Sequence, residues 1–132
     1  MAIDLAARGT EFHNFWSERH LASLTTIRPD GSPHVTPVGV TVDFASGVVR
    51  IISSAASRKV RNVIAAGENA RVAVCQLDGR RWSTLEGVAV VRDDPTSVAD
   101  GEARYAVRYR PPRPNITRVV IEIAVDRVLG NR

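Results

Sequence analysis

Residues 53–62, SSAASRKVRN, contain the chain's only lysine, Lys59, set between Arg58 and Arg61, with Ser57 before them and Asn62 after. Ser57 can cap a helix that begins at Arg58, and a helix start presents free N–H groups and a partial positive charge. A hydroxyl, an ammonium and guanidinium groups on one turn suit a phosphate or carboxylate. Charge-assisted hydrogen bonds of that kind contribute about 1.5–3 kcal/mol each. The competing reading is a solvated helix face. A second stretch, DGRRWSTLEG at 78–87, opens a strand with Arg80, Arg81 and Trp82. Alternation puts Arg81 on the face opposite Arg80 and Trp82. The indole either closes a barrel end or stacks on a planar ligand. A third, RYAVRYRPPRPN at 104–115, spaces Arg104 from Arg108 and Tyr105 from Tyr109 by one helical turn. It then sets Arg110, Arg113 and Asn115 in a loop stiffened by Pro111, Pro112 and Pro114. The helical pairs also suit a solvated face that covers apolar neighbours. The loop is a rigid clamp for a carboxylate or phosphate.

Other chemistries find little support. His13, His20 and His34 fall on separate elements and one cysteine offers no zinc spacing, so no metal site is expected. There is no G-x-S-x-G nucleophile turn and no glycine-rich phosphate loop. Among the 132 residues, 18 Lys+Arg against 14 Asp+Glu leave a net charge of +4, spread along the chain except at the two basic clusters. Local clusters fit a small anion better than a nucleic acid, for which no basic, aromatic-studded strand face is apparent. No run approaches the roughly 18 apolar residues of a membrane span, and no secretory leader is recognisable at the start. Cys75, in RVAVCQL, reads as a small core residue. These features together point to the cytosol.

The elements that must position these residues read as strands and helices in one domain, 1–132. Leu5, Phe12, Phe15 and Trp16 form an apolar stripe on a helix over 4–19. Residues 21–44 form a hairpin about Pro29-Asp30-Gly31, with 33–44 as its second strand. Pro37 belongs at an edge or bulge there, and Gly39 at a bulge or close backbone approach. VVRIISS is a third strand. The helix after it buries Val60, Val63 and Ile64, leaves Arg58, Lys59, Arg61 and Asn62 on the other faces, and ends at Gly67. Two strands follow, over 70–79 and 80–93, then a helix over 94–110 and a last alternating strand over 116–130. About six strands with short turns predict a mainly β fold, an antiparallel Greek-key barrel with flanking helices.

The segments SERHLASLTTIRPDGSPHVTPVGV, SRKVRN, DGRRWSTLEG, RYAVRYRPPRPN and RVVIEIAVDRVLG, in this order, resemble the pyridoxamine 5′-phosphate oxidase-like split β-barrel superfamily. Within it they look most like the branch that uses the deazaflavin coenzyme F420, closest to the F420H2-dependent biliverdin reductase group. The resemblance spans Trp16 to Gly130, and the arginine-rich, lysine-poor composition is compatible with an actinobacterial source. It implies a homodimer with the cofactor in a groove between subunits. His34, Val35, Thr36, Pro37 and Val38 would run beside the deazaflavin ring. Ser57, Lys59, Arg61 and Asn62 would hold the phosphate, with Ala55 and Ala56 leaving room for the ribityl chain. Arg80, Arg81 and Trp82 would border the ring from the partner subunit. The loop with Arg110, Pro112, Arg113, Pro114 and Asn115 would reach the acidic tail or the rim of the site. The implied reaction is hydride transfer from the reduced cofactor to a conjugated small-molecule acceptor such as biliverdin. No side chain serves as nucleophile, and Arg81 and Arg113 are candidates for the acceptor's carboxylates or for proton supply. The alternatives are an FMN enzyme of the same barrel and a non-enzymatic cofactor or haem binder. The FMN oxidases carry a further C-terminal segment, whereas this sequence ends soon after VLG.

Overall fold

The computed structural model describes residues 3–132. A 3-10 turn, Leu5–Arg8, precedes α1, Thr10–Ser17. Gly9 lies between them at φ 96°, a region that favours glycine, and divides what the pattern predicts as one helix. The apolar stripe survives the break, since Leu5, Phe12, Phe15 and Trp16 are all buried.

The strands are β1 Ala22–Ile27, β2 Pro33–Val38, β3 Thr41–Asp43, β4 Val48–Ser54, β5 Arg71–Asp78, β6 Arg81–Arg92 and β7 Arg118–Gly130. Helix α2, Arg58–Ala66, joins β4 to β5, and α3, Pro95–Arg108, joins β6 to β7. The strands form one seven-stranded sheet in the order β2-β1-β5-β6-β7-β4-β3, with every neighbouring pair antiparallel. Strands β2 and β3 are its two edges, yet only Gly39 and Val40 lie between them in the chain. Three peptide steps span at most about 11 Å. The edges must therefore lie side by side, which rolls the sheet into a barrel left split along that seam. Residues 33–44, expected as one strand, are two because the chain steps across the seam at Gly39. Pro37 sits on edge strand β2, where the ladder donor it lacks is not needed.

Inward residues fill the barrel by simple alternation: Leu24, Val49, Ile51, Val74, Leu85, Ile121 and Ile123 are all buried. Each such side chain contributes about 1.5–3 kcal/mol of burial. Two polar side chains lock the α1 plug to the wall: the Trp16 indole N–H donates to Ser83 Oγ at 3.0 Å, and Gln76 Nε2 donates to the Phe15 carbonyl at 2.6 Å. At Gly87 the β6–β7 register shifts, and a Cβ there would lie 2.0 Å from the Ala124 carbonyl oxygen. No other residue fits without moving backbone. Cys75, expected in the core, is only half-buried, on the β5 face opposite Val74 and Gln76.

Helix α2 buries Val60, Asn62 and Val63, while Ile64 is 62% exposed. The expected apolar face is thus rotated, because a polar pair, Asn62 with Thr26 of β1, occupies the contact. Helix α3 starts on Asp94, whose carboxylate accepts from the Ser97 N–H at 3.0 Å, with Pro95 in its first turn. It lies tight on β4 and β7 through Gly101, where a Cβ would come within 2.8 Å of Val120 Cγ2.

Candidate functional site

A groove of about 450 Å³ opens between the start of α2, the end of β2 and the loop from α3 to β7. It gathers eight of the residues expected from the sequence: Pro37, Val38, Ser57, Lys59, Arg110, Pro112, Arg113 and Asn115. Its floor is Ile52, Ser53 and Ser54 of β4.

Local structure explains the placement. Ser57 occupies the cap position of α2, but its hydroxyl pairs with Ser53 Oγ at 2.8 Å and caps nothing. The first intrahelical bond runs from the Arg61 N–H to the Ser57 carbonyl at 3.1 Å. The N–H groups of Arg58, Lys59 and Val60 precede that ladder and point out of the helix end. Asn115 ties the proline loop to β4 through Ser54 Oγ at 2.9 Å, while its Oδ1 accepts from the Thr117 N–H at 2.9 Å and hydroxyl at 2.8 Å. Gly39 permits the close approach expected of it, though not at a bulge: a Cβ would stand 2.9 Å from the Tyr105 ring, which packs on Tyr109 with centroids 4.9 Å apart.

The electrostatics are one-sided. Lys59 is half-buried, and desolvation pushes its ammonium below the usual lysine value with no opposing carboxylate. No Asp or Glu lines the groove. Arg118 is taken by Glu102 at 2.6 Å and by the Arg113 carbonyl at 2.7 Å. The side chains of Lys59, Arg110 and Arg113 make no ion pair among the described residues, so three cations face one partly desolvated space. An anion of more than one charge satisfies them, and a hydroxyl-lined floor with free helix N–H groups suits phosphate.

The remaining expected residues lie elsewhere in the chain. His34, Val35 and Thr36 continue along β2 beyond the groove lining, Ala55, Ala56 and Pro114 are exposed beside lining residues, and Arg61 is exposed on α2, two positions on from Lys59 and so on another face of the helix. Asn62 is 1% exposed and turned inward: its Nδ2 donates to Thr26 Oγ1 at 3.0 Å, and its Oδ1 has no partner. Replacing Asn62 with alanine should therefore cost about 1–3 kcal/mol of stability and leave anion affinity unchanged within about twofold. Chemical denaturation alongside a cofactor titration checks both.

Arg80, Arg81 and Trp82 also lie outside the groove lining. Arg81 sits among Glu18 at 3.0 Å, Asp78, and the Phe15 ring at 5.0 Å, while Trp82 is 40% exposed on the outer face. Arg81 and then His20 hydrogen-bond the Glu18 carboxyl and lower it to about 2. Glu18, His20 and Asp78 converge closely enough to interest a cation, although the sequence places no metal site. A guanidinium already stands among them. Arg108 and Tyr109, open to reading as a solvated face, are instead anchors. Arg108 donates to the Glu18 carbonyl at 2.8 Å, the Val40 carbonyl at 2.6 Å and Gln76 Oε1 at 2.7 Å. The Tyr109 hydroxyl donates to the His20 carbonyl at 2.6 Å. Ile52, Ser53, Ser54 and Arg118 line the groove without having been singled out, and Tyr105 lines it too, although its pairing with Tyr109 also suited a solvated face. For the two serines a signal existed, since they open the same basic stretch.

No helix among the described residues is long and apolar enough to cross a membrane. The profile of the family described as pyridoxamine 5′-phosphate oxidase matches residues 9–132. Over 117 residues the chain is 50% identical to an F420H(2)-dependent biliverdin reductase of Mycobacterium tuberculosis (strain CDC 1551 / Oshkosh), covering 89% of this chain and 83% of that one. A solved F420 reductase superposes with a TM-score of 0.71 at 25% identity, over 89% of this chain and 94% of its own. A conserved hypothetical protein of M. tuberculosis superposes with a TM-score of 0.78 at 25% identity, over 96% and 86%.

Proposed function

Because the chain belongs to the pyridoxamine 5′-phosphate oxidase family, we propose that its groove binds coenzyme F420 and that the protein is an F420H2-dependent reductase acting on a conjugated acceptor, biliverdin foremost. The observation that carries this is the trio of unpaired cations, led by half-buried Lys59, at the open end of α2. When bound, the reduced cofactor supplies the hydride.

The chain's own residues bind, orient and exclude water. Lys59, the Ser57 hydroxyl and the first N–H groups of α2 hold the phosphodiester. Arg61 adds positive charge to the same helix from another face, and Ala55 and Ala56 leave the approach open. The β2 edge, His34 to Val38, flanks the ring, and the seam at Pro37–Gly39 lets a flat molecule come close to backbone. The loop bearing Arg110, Pro112, Arg113, Pro114 and Asn115 meets the cofactor's acidic tail. It needs little ordering, since prolines and Asn115 already fix it. A hydride added to a conjugated acceptor leaves an anion, which takes its proton from water or a nearby cationic group. Arg113, free of any carboxylate partner among the described residues, is the groove's candidate for that role or for an acceptor carboxylate.

Arg80, Arg81 and Trp82 reach the ring only from a second copy, so the working unit is a homodimer, acting in the cytosol. Exposed Leu77 and Trp82, paired across β5 and β6, support such a contact. FMN also carries a phosphate and would satisfy the same cations, which makes it the second reading. Titrating the protein with each cofactor should show F420 bound at least about tenfold more tightly than FMN. Mixing protein, F420H2 and biliverdin should then consume both reactants. A preference for FMN, or no turnover with biliverdin or any other conjugated acceptor, would overturn this reading.

A further inference from the structure

A second cavity, of about 420 Å³, lies against the groove and shares Tyr105 and Arg110 with it. Its other walls are Arg19, His20, Leu21 and Tyr109. The charge here is again one-sided. Arg19 and Arg110 make no ion pair among the described residues, and no carboxylate lines the space. The nearest acids are already engaged: Glu18 holds Arg81 at 3.0 Å and His20 at 2.9 Å, and Asp78 holds the same Arg81. The backbone beneath Arg19 is fixed on both sides, by Arg108 on the Glu18 carbonyl at 2.8 Å and by Tyr109 on the His20 carbonyl at 2.6 Å. Leu21, 63% exposed, and the Tyr105 ring add apolar surface next to the two guanidiniums.

Guanidiniums beside an apolar rim select a carboxylate on an apolar or conjugated arm. A molecule reduced in the groove must lie against the cofactor and project its remainder outward. The shared wall puts the second cavity next to that space. We propose that this cavity is the carboxylate subsite for the acceptor, with Arg19 as its own cation and Arg110 shared with the cofactor's tail, and hence that the acceptors are conjugated molecules bearing acidic side arms. This rests on the reading that the groove holds the reductant.

Arg19 lines the second cavity and not the groove, and its exposed side chain makes no ion pair among the described residues, so removing it should leave the fold intact. Biliverdin and its dimethyl ester are titrated into the cofactor-free protein, with an F420 titration in parallel. The diacid should bind wild type about tenfold more tightly than the diester. Arg19→Ala should lose that preference, Arg19→Lys should keep most of it, and F420 affinity should stay within about twofold throughout. No diacid preference in wild type, or a preference that survives in Arg19→Ala, overturns the subsite. So does a loss of F420 affinity in Arg19→Ala, which would give the cavity to the cofactor's own acidic end. If wild type shows the Arg19-dependent preference but binds no F420, the subsite stands and the reductase reading fails.

Discussion

Replacing Lys59 with alanine should raise the dissociation constant for F420 by about 10- to 100-fold, the range of one charge-assisted hydrogen bond lost from a partly desolvated site. The direction follows from the ligand-free state. Lys59 is half-buried without a counter-charge, so its proton is held less tightly than in water. The unfolded chain holds that proton more tightly. Stability therefore rises as pH climbs from the depressed value toward 10.5, and the charged form destabilises the empty protein. An arriving phosphate removes the penalty and gains the pair. Two further results are expected. F420 affinity should fall as pH rises through the depressed value, and Lys59→Ala should abolish that dependence. Stability at neutral pH should be unchanged or slightly raised in the variant. Fluorescence titration of F420 across pH, with thermal melts beside it, measures all three.

The second large effect concerns the frame. Arg108→Ala should destabilise the protein by about 2–4 kcal/mol, since it leaves part-buried neutral acceptors without their charged donor. Arg108 joins the α3 end to the loop after α1, to Val40 at the barrel seam and to buried Gln76. Without it the Gln76 amide oxygen and the Val40 carbonyl lose their charged donor. Native stability is only about 5–15 kcal/mol, so a drop in melting temperature of about 10–20 °C is expected. Lysine should not rescue it, because a single ammonium cannot span three acceptors set for a planar fork. Arg104, one turn earlier, pairs with Asp100 at the surface at 2.9 Å, and its removal should cost less than about 1 kcal/mol. Equal melting temperatures for Arg108→Ala and Arg104→Ala would contradict this account.

Much of the barrel was legible because strand alternation and turn chemistry are local signals. The β7 pattern, the Pro29-Asp30-Gly31 turn and the Ser57 helix start all appear where the residues place them. The seam was not legible. Residues 33–44 continue to look like one strand, and only the placement of β2 and β3 at opposite edges of the sheet, on β1 and β4, reveals the step at Gly39. The α2 face was misjudged because Asn62 finds Thr26, a contact 36 positions away that no helical periodicity encodes. The same holds for Arg108. Its spacing from Arg104 suggests equivalence, whereas its partners at 18, 40 and 76 make it structural. In the candidate site, Lys59 from the first basic stretch and Arg110 and Arg113 from the proline loop come together in space, while Arg58 and Arg61 stay outside the groove lining. The Arg80 to Trp82 stretch lies outside that cluster.

The account depends on where the cofactor's phosphodiester lies. A crystal structure of the protein with F420 should place it within hydrogen-bond reach of Lys59 Nζ and the Ser57 hydroxyl, at the first N–H groups of α2, with the ring beside Pro37–Gly39. A phosphodiester seated elsewhere, or a groove empty at saturating F420, would contradict it.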